Sequence, residues 1–310
     1  MGRNMFKRIL PGSTLGIISP AFIPDSQRMR TGIAYLKNKG IKIRYGSHLR
    51  KHYGYFAGTD EERLSDLHAM FSDEKVDGII CARGGWGNLR LIDKIDYQLI
   101  SANPKPIIGY SDITTLQLAI WKKTGIPSIS GPMVAVEMGK GIEAFTEEHF
   151  WGQLQNPQSH YVFKFSTCDT VIMNGGKSQG ILLGGCLSLV ASLLGTPYCP
   201  DFSGAILFIE DIGEKPYKID RYLAHLYQAG VFNMISGIIF GDFLDCEPEE
   251  GEVSFALTEI LEQYFTKARY PVIRQFPYGH GAIKFTMPIG VKCHLDTDKD
   301  TISLENPFDI

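Results

Sequence analysis

Short apolar runs alternate with amphipathic stretches through the first half of the chain, and the alternation predicts its elements. Thr14 to Pro20 and Ile41 to Tyr45 read as strands, separated by a helix from Pro24 to Lys39 that stops at Gly40. His48 to Gly58 reads as a packed surface loop. Thr59 and Glu62 form a capping box that opens a helix through Leu64, Leu67, His68 and Phe71. Val76 to Ala82 is the next strand, and after Arg83-Gly-Gly-Trp-Gly-Asn88 the pattern predicts a helix through Leu89, Leu91, Ile92 and Ile95. Pro106, Ile107 and Ile108 make a buried strand that turns at Gly109-Tyr-Ser111 into a helix reaching Gly125. Pro127 to Ser130 and a helix from about Ile142 to Leu154 complete this part. Strand and helix in strict succession predict a parallel sheet covered on both faces, with functional loops at the C-terminal ends of its strands.

Asn156 to Gly176 breaks the pattern: it is polar, holds Pro157, and Asn174-Gly-Gly176 reads as a hairpin turn. The break divides the chain into an N-terminal parallel-sheet α/β domain, 1–160, and a C-terminal mixed α/β domain, 175–310. In the second, Gln179 to Gly185, Ala205 to Ile209, Gly237 to Phe240, Val272 to Arg274, Met287 to His294 and Thr301 to Glu305 read as strands. Helices are expected over Leu187 to Leu194, Tyr217 to Ala229 and Val253 to Tyr264.

Composition narrows the function. Across 310 residues, 44% are hydrophobic, enough for a substantial core, and the net charge is -3 with no run of like charge. That balance speaks against nucleic acid and against an anionic membrane surface as partners. No apolar stretch approaches the roughly 18 residues a bilayer span needs, and Leu15 to Ile18 is too short for a signal-peptide core, so a cytoplasmic location is expected. The six cysteines are scattered, without C-x-x-C or a histidine at metal-ligand spacing, and H-E-x-x-H is absent. Reduced thiols, no metal and no cofactor are the expectation, so hydrolysis must use side chains.

The corner at Ser111 is the first candidate. A serine where a buried strand turns into a helix is aimed out of the sheet, and the amides from Asp112 onward point into the same space with the helix dipole behind them. The competing role is an ordinary N-cap, with Asp112 in the first turn. The turn at Gly84-Gly85 also follows a strand, so it and the Ser111 turn can face one crevice and bring bare amides to an anion. As a dinucleotide loop it lacks the third glycine of G-x-G-x-x-G and an acid at the end of the next strand. Among eight histidines, His280 stands between glycines after an apolar strand, where a fixed loop can hold its ring in a crevice. A carboxylate must fix its tautomer. Glu210 and Asp211 both end a very apolar strand and point to opposite faces, so only one of them can address His280. For Asp211 the expected role is a surface pair with Lys215, Lys218 or Arg221. Arg83 is a candidate fork for a substrate carboxylate, and Trp86 a candidate substrate contact that could stack on a base where the substrate carries one.

The succession Pro11 to Ala21, Arg83-Gly-Gly-Trp-Gly87, Gly109-Tyr-Ser-Asp-Ile-Thr114, Leu182-Leu-Gly-Gly-Cys-Leu187, Leu207-Phe-Ile-Glu-Asp211, Ile219-Asp-Arg221 and Tyr278-Gly-His-Gly281 resembles the LD-carboxypeptidase family of serine peptidases, which includes the microcin C immunity peptidases. The resemblance spans essentially the whole chain. It implies Ser111 as nucleophile, Glu210 as acid and His280 as base, in a cleft between two domains, with Asp112 and Gly84 or Gly85 supplying the backbone oxyanion hole, and a homodimer. The implied substrate is a small peptide, a murein tetrapeptide losing D-alanine in cell-wall recycling. The alternatives are a peptidyl-nucleotide, as in the immunity branch, or a non-catalytic module that closes on a peptide. Two positions depart from the family's usual pattern: Trp86 where tyrosine is commoner, and Cys186 where asparagine is.

Overall fold

The computed structural model describes residues 6–309. They separate into two compact units: residues 6–159 with Phe285–Gly290 and 306–309, and His160–Lys284 with Val291–Glu305.

The first unit is built on a six-stranded sheet in the order Met287–Ile289, Ser128–Ser130, Ile107–Ile108, Gly78–Cys81, Thr14–Ile18, Lys42–Tyr45. Every pair is parallel except the first, where Met287–Ile289 runs antiparallel to Ser128–Ser130. The central strands are buried along their whole length, as a sheet covered on both faces requires. The capping box forms as expected: Thr59 Oγ1 accepts from Glu62 N at 3.2 Å, and Glu62 Oε2 accepts from Thr59 N at 3.0 Å. At the other end of that helix, Asp60–Ser72, the buried Lys105 ammonium donates to the carbonyls of Met70, Phe71 and Asp73. A cation at a helix C-terminus meets both the orphan carbonyls and the dipole. The helix Ile113–Thr124 ends at Gly125 in the left-handed conformation, as the sequence implied.

The second unit carries an eight-stranded mixed sheet, ordered His160–Lys164, Thr301–Glu305, Lys292–Asp296, Lys177–Cys186, Ile206–Ile212, Gly237–Leu244, Val272–Arg274, Val171–Asn174. Ile206–Ile212 lies in the interior, parallel to both neighbours. Ile206, Leu207, Phe208 and Ile209 have no exposed surface, each burial being worth about 1.5–3 kcal/mol. Phe240 and Phe265 pack on each other at 5.0 Å behind this sheet.

Three expectations need correction. After Asn88 the chain makes one 3-10 turn, Asn88–Arg90, and the next α-helix begins only at Tyr97; the apolar residues Leu91, Ile92 and Ile95 are buried from irregular backbone, which periodicity alone cannot distinguish from a short helix. Asn174-Gly-Gly176 closes no hairpin. Val171–Asn174 pairs with Val272–Arg274, and Lys177–Cys186 pairs elsewhere in the sheet; Asn174 Nδ2 is committed to the carbonyls of Ala268 and Tyr270. The expected strand from Met287 to His294 is two strands in two sheets, because the chain turns at Gly290 (φ +87°), whose backbone abuts the ring of Trp121.

Candidate active site

Ser111 follows the two-residue strand Ile107–Ile108 and precedes the helix Ile113–Thr124. It is one of four non-glycine residues at positive φ among the described residues, at +63°. A side-chain-bearing residue there costs on the order of 1–3 kcal/mol and persists only where its surroundings fix it. Here Thr114 N donates to Ser111 O at 2.9 Å and Ile113 N to Tyr110 O at 3.3 Å, while Gln117 Nε2 donates to Gly109 O at 2.9 Å. Tyr110 is anchored through its hydroxyl to Glu137 at 2.7 Å. The serine hydroxyl is thereby presented from a strained strand-to-helix corner, the geometry of a nucleophile elbow.

Gly84 lies directly against it. A Cβ on Gly84 would sit 2.9 Å from Ser111 Cβ and 3.4 Å from Asp112 N, so any side chain would collide with the serine. The amides of Gly84, Gly85 and Asp112 donate to no acceptor among the described residues. An oxyanion hole is made of bare, fixed N–H groups beside a nucleophile. Asp112 itself is fully buried, and burial pushes its carboxyl above the usual range, against the hydrogen bonds from Asn88 and Gly87 and the nearby Arg63 charge. It makes no side-chain cap to its own helix.

Arg83 is half-buried. Its Nε donates to Gly84 O at 3.2 Å and Nη1 to Ile23 O at 3.4 Å, and its guanidinium lies 5.6 Å from the Phe22 ring centre. Burial and the neighbouring Arg28 lower its affinity for its proton. These contacts order the start of the glycine turn. Trp86 is partly exposed on the same turn.

In the second unit, Glu210 ends the apolar run of Ile206–Ile212 with no exposed surface. Its Oε2 lies 2.7 Å from His280 Nδ1. A carboxylate can only accept, so Nδ1 carries the proton and Nε2 of the neutral ring is the basic nitrogen. Gly281 must stay bare: a Cβ there would overlap Asp242 Oδ2. Asp242 is pushed up to about 6, chiefly by burial, with the Glu210 charge adding and Lys284, the Gly281 amide and His280 opposing. Lys284, 1% exposed, donates to Gly279 O. His280 thus stands on a turn gripped by two acids and one cation.

Asp211 departs from its expected surface pairing. It is 2% exposed and points to the opposite face from Glu210. Its Oδ2 accepts from Ser188 N at 2.8 Å at the start of the helix Leu187–Leu193, and its Oδ1 from Ile212 N at 2.9 Å. Lys215 pairs instead with Glu249 and Glu252, and Lys218 with Glu214. Orphan amides at a helix start outbid surface lysines for a buried carboxylate. Sequence reasoning missed Asn88, Asp242 and Lys284. The one available signal was the polarity of three residues next to glycine turns or strand ends. Among the described residues, no three His, Cys, Asp or Glu side chains gather as a metal site, and no helix is long and apolar enough to cross a membrane.

Comparison with known proteins bears on both units. The LD-carboxypeptidase N-terminal domain family matches residues 15–131, and the LD-carboxypeptidase C-terminal domain family matches residues 179–295. A Bacillus subtilis (strain 168) protein named "Probable murein peptide carboxypeptidase" is 39% identical over 300 residues, covering 96% of this chain and 93% of its own. The muramoyltetrapeptide carboxypeptidase of Oxalobacter formigenes has a similar structure, with a TM-score of 0.85 at 28% identity over 96% of this chain and 100% of its own. The structure of MccF in complex with glutamyl sulfamoyl guanosine superposes with a TM-score of 0.89 at 26% identity, over 99% and 100% of the two chains.

Proposed function

The chain belongs to the LD-carboxypeptidase family, and from that premise we propose that it is a serine peptidase using Ser111, Glu210 and His280 to cut the bond between an L-centre and a C-terminal D-amino acid. The observation that carries this reading is Ser111 held at φ +63° at a strand-to-helix corner beside bare amides, which an ordinary N-cap does not require. The hydrogen bond between Glu210 and His280 supplies the tautomer that a base needs.

In the reaction, Ser111 Oγ attacks the carbonyl carbon of the L-centre while His280 Nε2 takes the hydroxyl proton. Negative charge gathers on the carbonyl oxygen, met by the amides of Asp112 and of Gly84 or Gly85. Glu210 stabilises the imidazolium as it forms. The intermediate collapses, His280 gives its proton to the departing D-amino acid amine, and water then cleaves the acyl-enzyme by the same steps.

The substrate we assign is the murein tetrapeptide, with D-alanine released during cell-wall recycling inside the cell. Identity supports it over a peptidyl-nucleotide: 39% to the murein peptide carboxypeptidase named above, against 28% to the microcin C7 self-immunity protein of Escherichia coli. The test is mass-spectrometric detection of D-alanine released from L-Ala-γ-D-Glu-meso-diaminopimelyl-D-Ala by the purified protein, with a peptidyl-nucleotide amide and the Ser111→Ala variant in parallel. Release that disappears in the variant is expected. Cleavage of the nucleotide conjugate alone would move the protein to the immunity branch, and cleavage of neither would leave a binding module.

A further inference from the structure

Asp112 is a fully buried carboxylate that serves neither its own helix nor a hydrogen-bonded cation. Helix starts favour aspartate because its side chain accepts from the first-turn amides. Asp112 turns away from them. Its Oδ2 instead takes two hydrogen bonds from one residue, Asn88 N at 3.0 Å and Asn88 Nδ2 at 2.6 Å, across 24 positions of sequence. Asn88 is also fully buried, at the far end of the glycine turn that starts at Gly84. Beyond these two bonds and the Gly87 amide, no described residue donates to the Asp112 carboxylate, and Asn88 Oδ1 has no hydrogen-bond partner among the described residues. Burying an acid at this cost, with burial raising its affinity for a proton, needs a return other than local helix stability.

The turn it holds explains the return. Between Gly84 and Asn88 lie two glycines at positive φ, Gly85 at +126° and Gly87 at +132°, a backbone with little stiffness of its own. One end of the turn is set by the contact of Gly84 with Ser111. The other end is set by Asn88 on Asp112, the residue after the serine. Both ends of the turn therefore refer to the same two consecutive residues of the serine corner.

We propose that the Asp112 carboxylate and Asn88 form a positioning clamp that fixes the Gly84–Gly85 amides relative to the Asp112 amide, and so sets the spacing of the oxyanion donors. This rests on the serine-peptidase reading above. Asn88 and the Asp112 side chain touch no substrate; they act through the main chain. The clamp strengthens binding of the tetrahedral state and leaves ground-state peptide binding alone.

The test uses Asn88→Ala, Asp112→Ala and the conservative Asp112→Asn. In Asp112→Asn the amide oxygen can take the place of Oδ2 and accept both bonds from Asn88, so the link is kept without its charge. Four quantities are measured: kcat and KM for D-alanine release, the affinity of a peptide boronate that forms a tetrahedral adduct with the serine, and Tm. The expected result for each alanine variant is a kcat loss of about 10²-fold, KM within about threefold, and boronate affinity falling with kcat/KM. Asp112→Asn should recover at least about tenfold of that loss. A folded Asn88→Ala with unchanged kcat overturns the clamp, as does a folded Asp112→Asn no better than Asp112→Ala. If Asp112→Ala does not fold, Asn88→Ala alone decides. Wild type that cleaves neither the murein peptide nor the peptidyl-nucleotide amide removes the serine-peptidase reading itself, whereas an active wild type with an indifferent Asn88→Ala removes only the clamp.

Discussion

Around Ser111, position is fixed mostly by neutral groups and main chain: a strained φ, a bare glycine against the serine, tyrosine and glutamine side chains tying down the corner, and one buried acid bonded to an asparagine. Around His280 it is fixed by ionisable groups: Glu210 on the ring, Asp242 against the turn, and Lys284 on the preceding carbonyl. In the proposed reaction the difference follows from what each turn must present. A nucleophile and its oxyanion donors need geometry that does not change with pH. A base needs an electrostatic setting that decides which nitrogen holds the proton. Damage to the first region should therefore be steric and flat in pH, and damage to the second should alter pH dependence.

The largest expected effect is at the serine. Ser111→Ala should lower kcat for D-alanine release by about 10⁴-fold or more, with Tm nearly unchanged, because the backbone and its bonds remain. Substantial residual turnover would remove Ser111 from the chemistry. Next, Glu210→Gln should cost about 10³-fold in kcat, since an amide offers an N–H where His280 Nδ1–H needs an acceptor and so favours the wrong tautomer. Activity within tenfold of wild type would show that the His280 tautomer does not depend on Glu210.

The glycine pair sharpens the contrast. Gly84→Ala should lower kcat by about 10²-fold equally at every pH, because its Cβ would stand 2.9 Å from Ser111 Cβ. Gly281→Ala, which pushes on Asp242, should instead shift the pH profile of kcat/KM and lower stability by about 1–3 kcal/mol. Identical pH profiles in the two variants would collapse the distinction.

The smallest effect concerns Asp242. Its pKa in the folded chain, about 6 against an ordinary 3.8, means that the native state holds this proton more tightly than the unfolded chain. Stability therefore falls as pH rises between those values, and the whole penalty is present above about pH 6. Asp242→Asn removes it. The variant should be more stable than its parent by about 1 kcal/mol at pH 7 to 8, a figure reduced for partial solvent screening, with the gap closing by about pH 4. Parallel Tm curves across that range would contradict the assignment.

The Ser111 corner was legible because everything that makes it is local: an apolar run, a glycine and an apolar-striped helix within about fifteen residues. The capping box at Thr59 and the stop at Gly125 were legible for the same reason. Asn88 was not, because nothing near it in sequence marks a partner 24 residues away. The strand at Met287–Ile289 merged with its successor because both are apolar, and only hydrogen-bonding partners in two different sheets separate them.

What the sequence determined by itself, then, was most of the strands and helices, the serine corner and the glycine-flanked histidine, since propensity, periodicity and turn chemistry act over a few residues. The tertiary structure decided that Glu210 bonds the ring 70 positions away while Asp211, its neighbour, takes the amide at the start of a helix. Alternation along a strand sends the two side chains to opposite faces, but which face holds the histidine is settled by how the strands are ordered and packed, a property of no short segment.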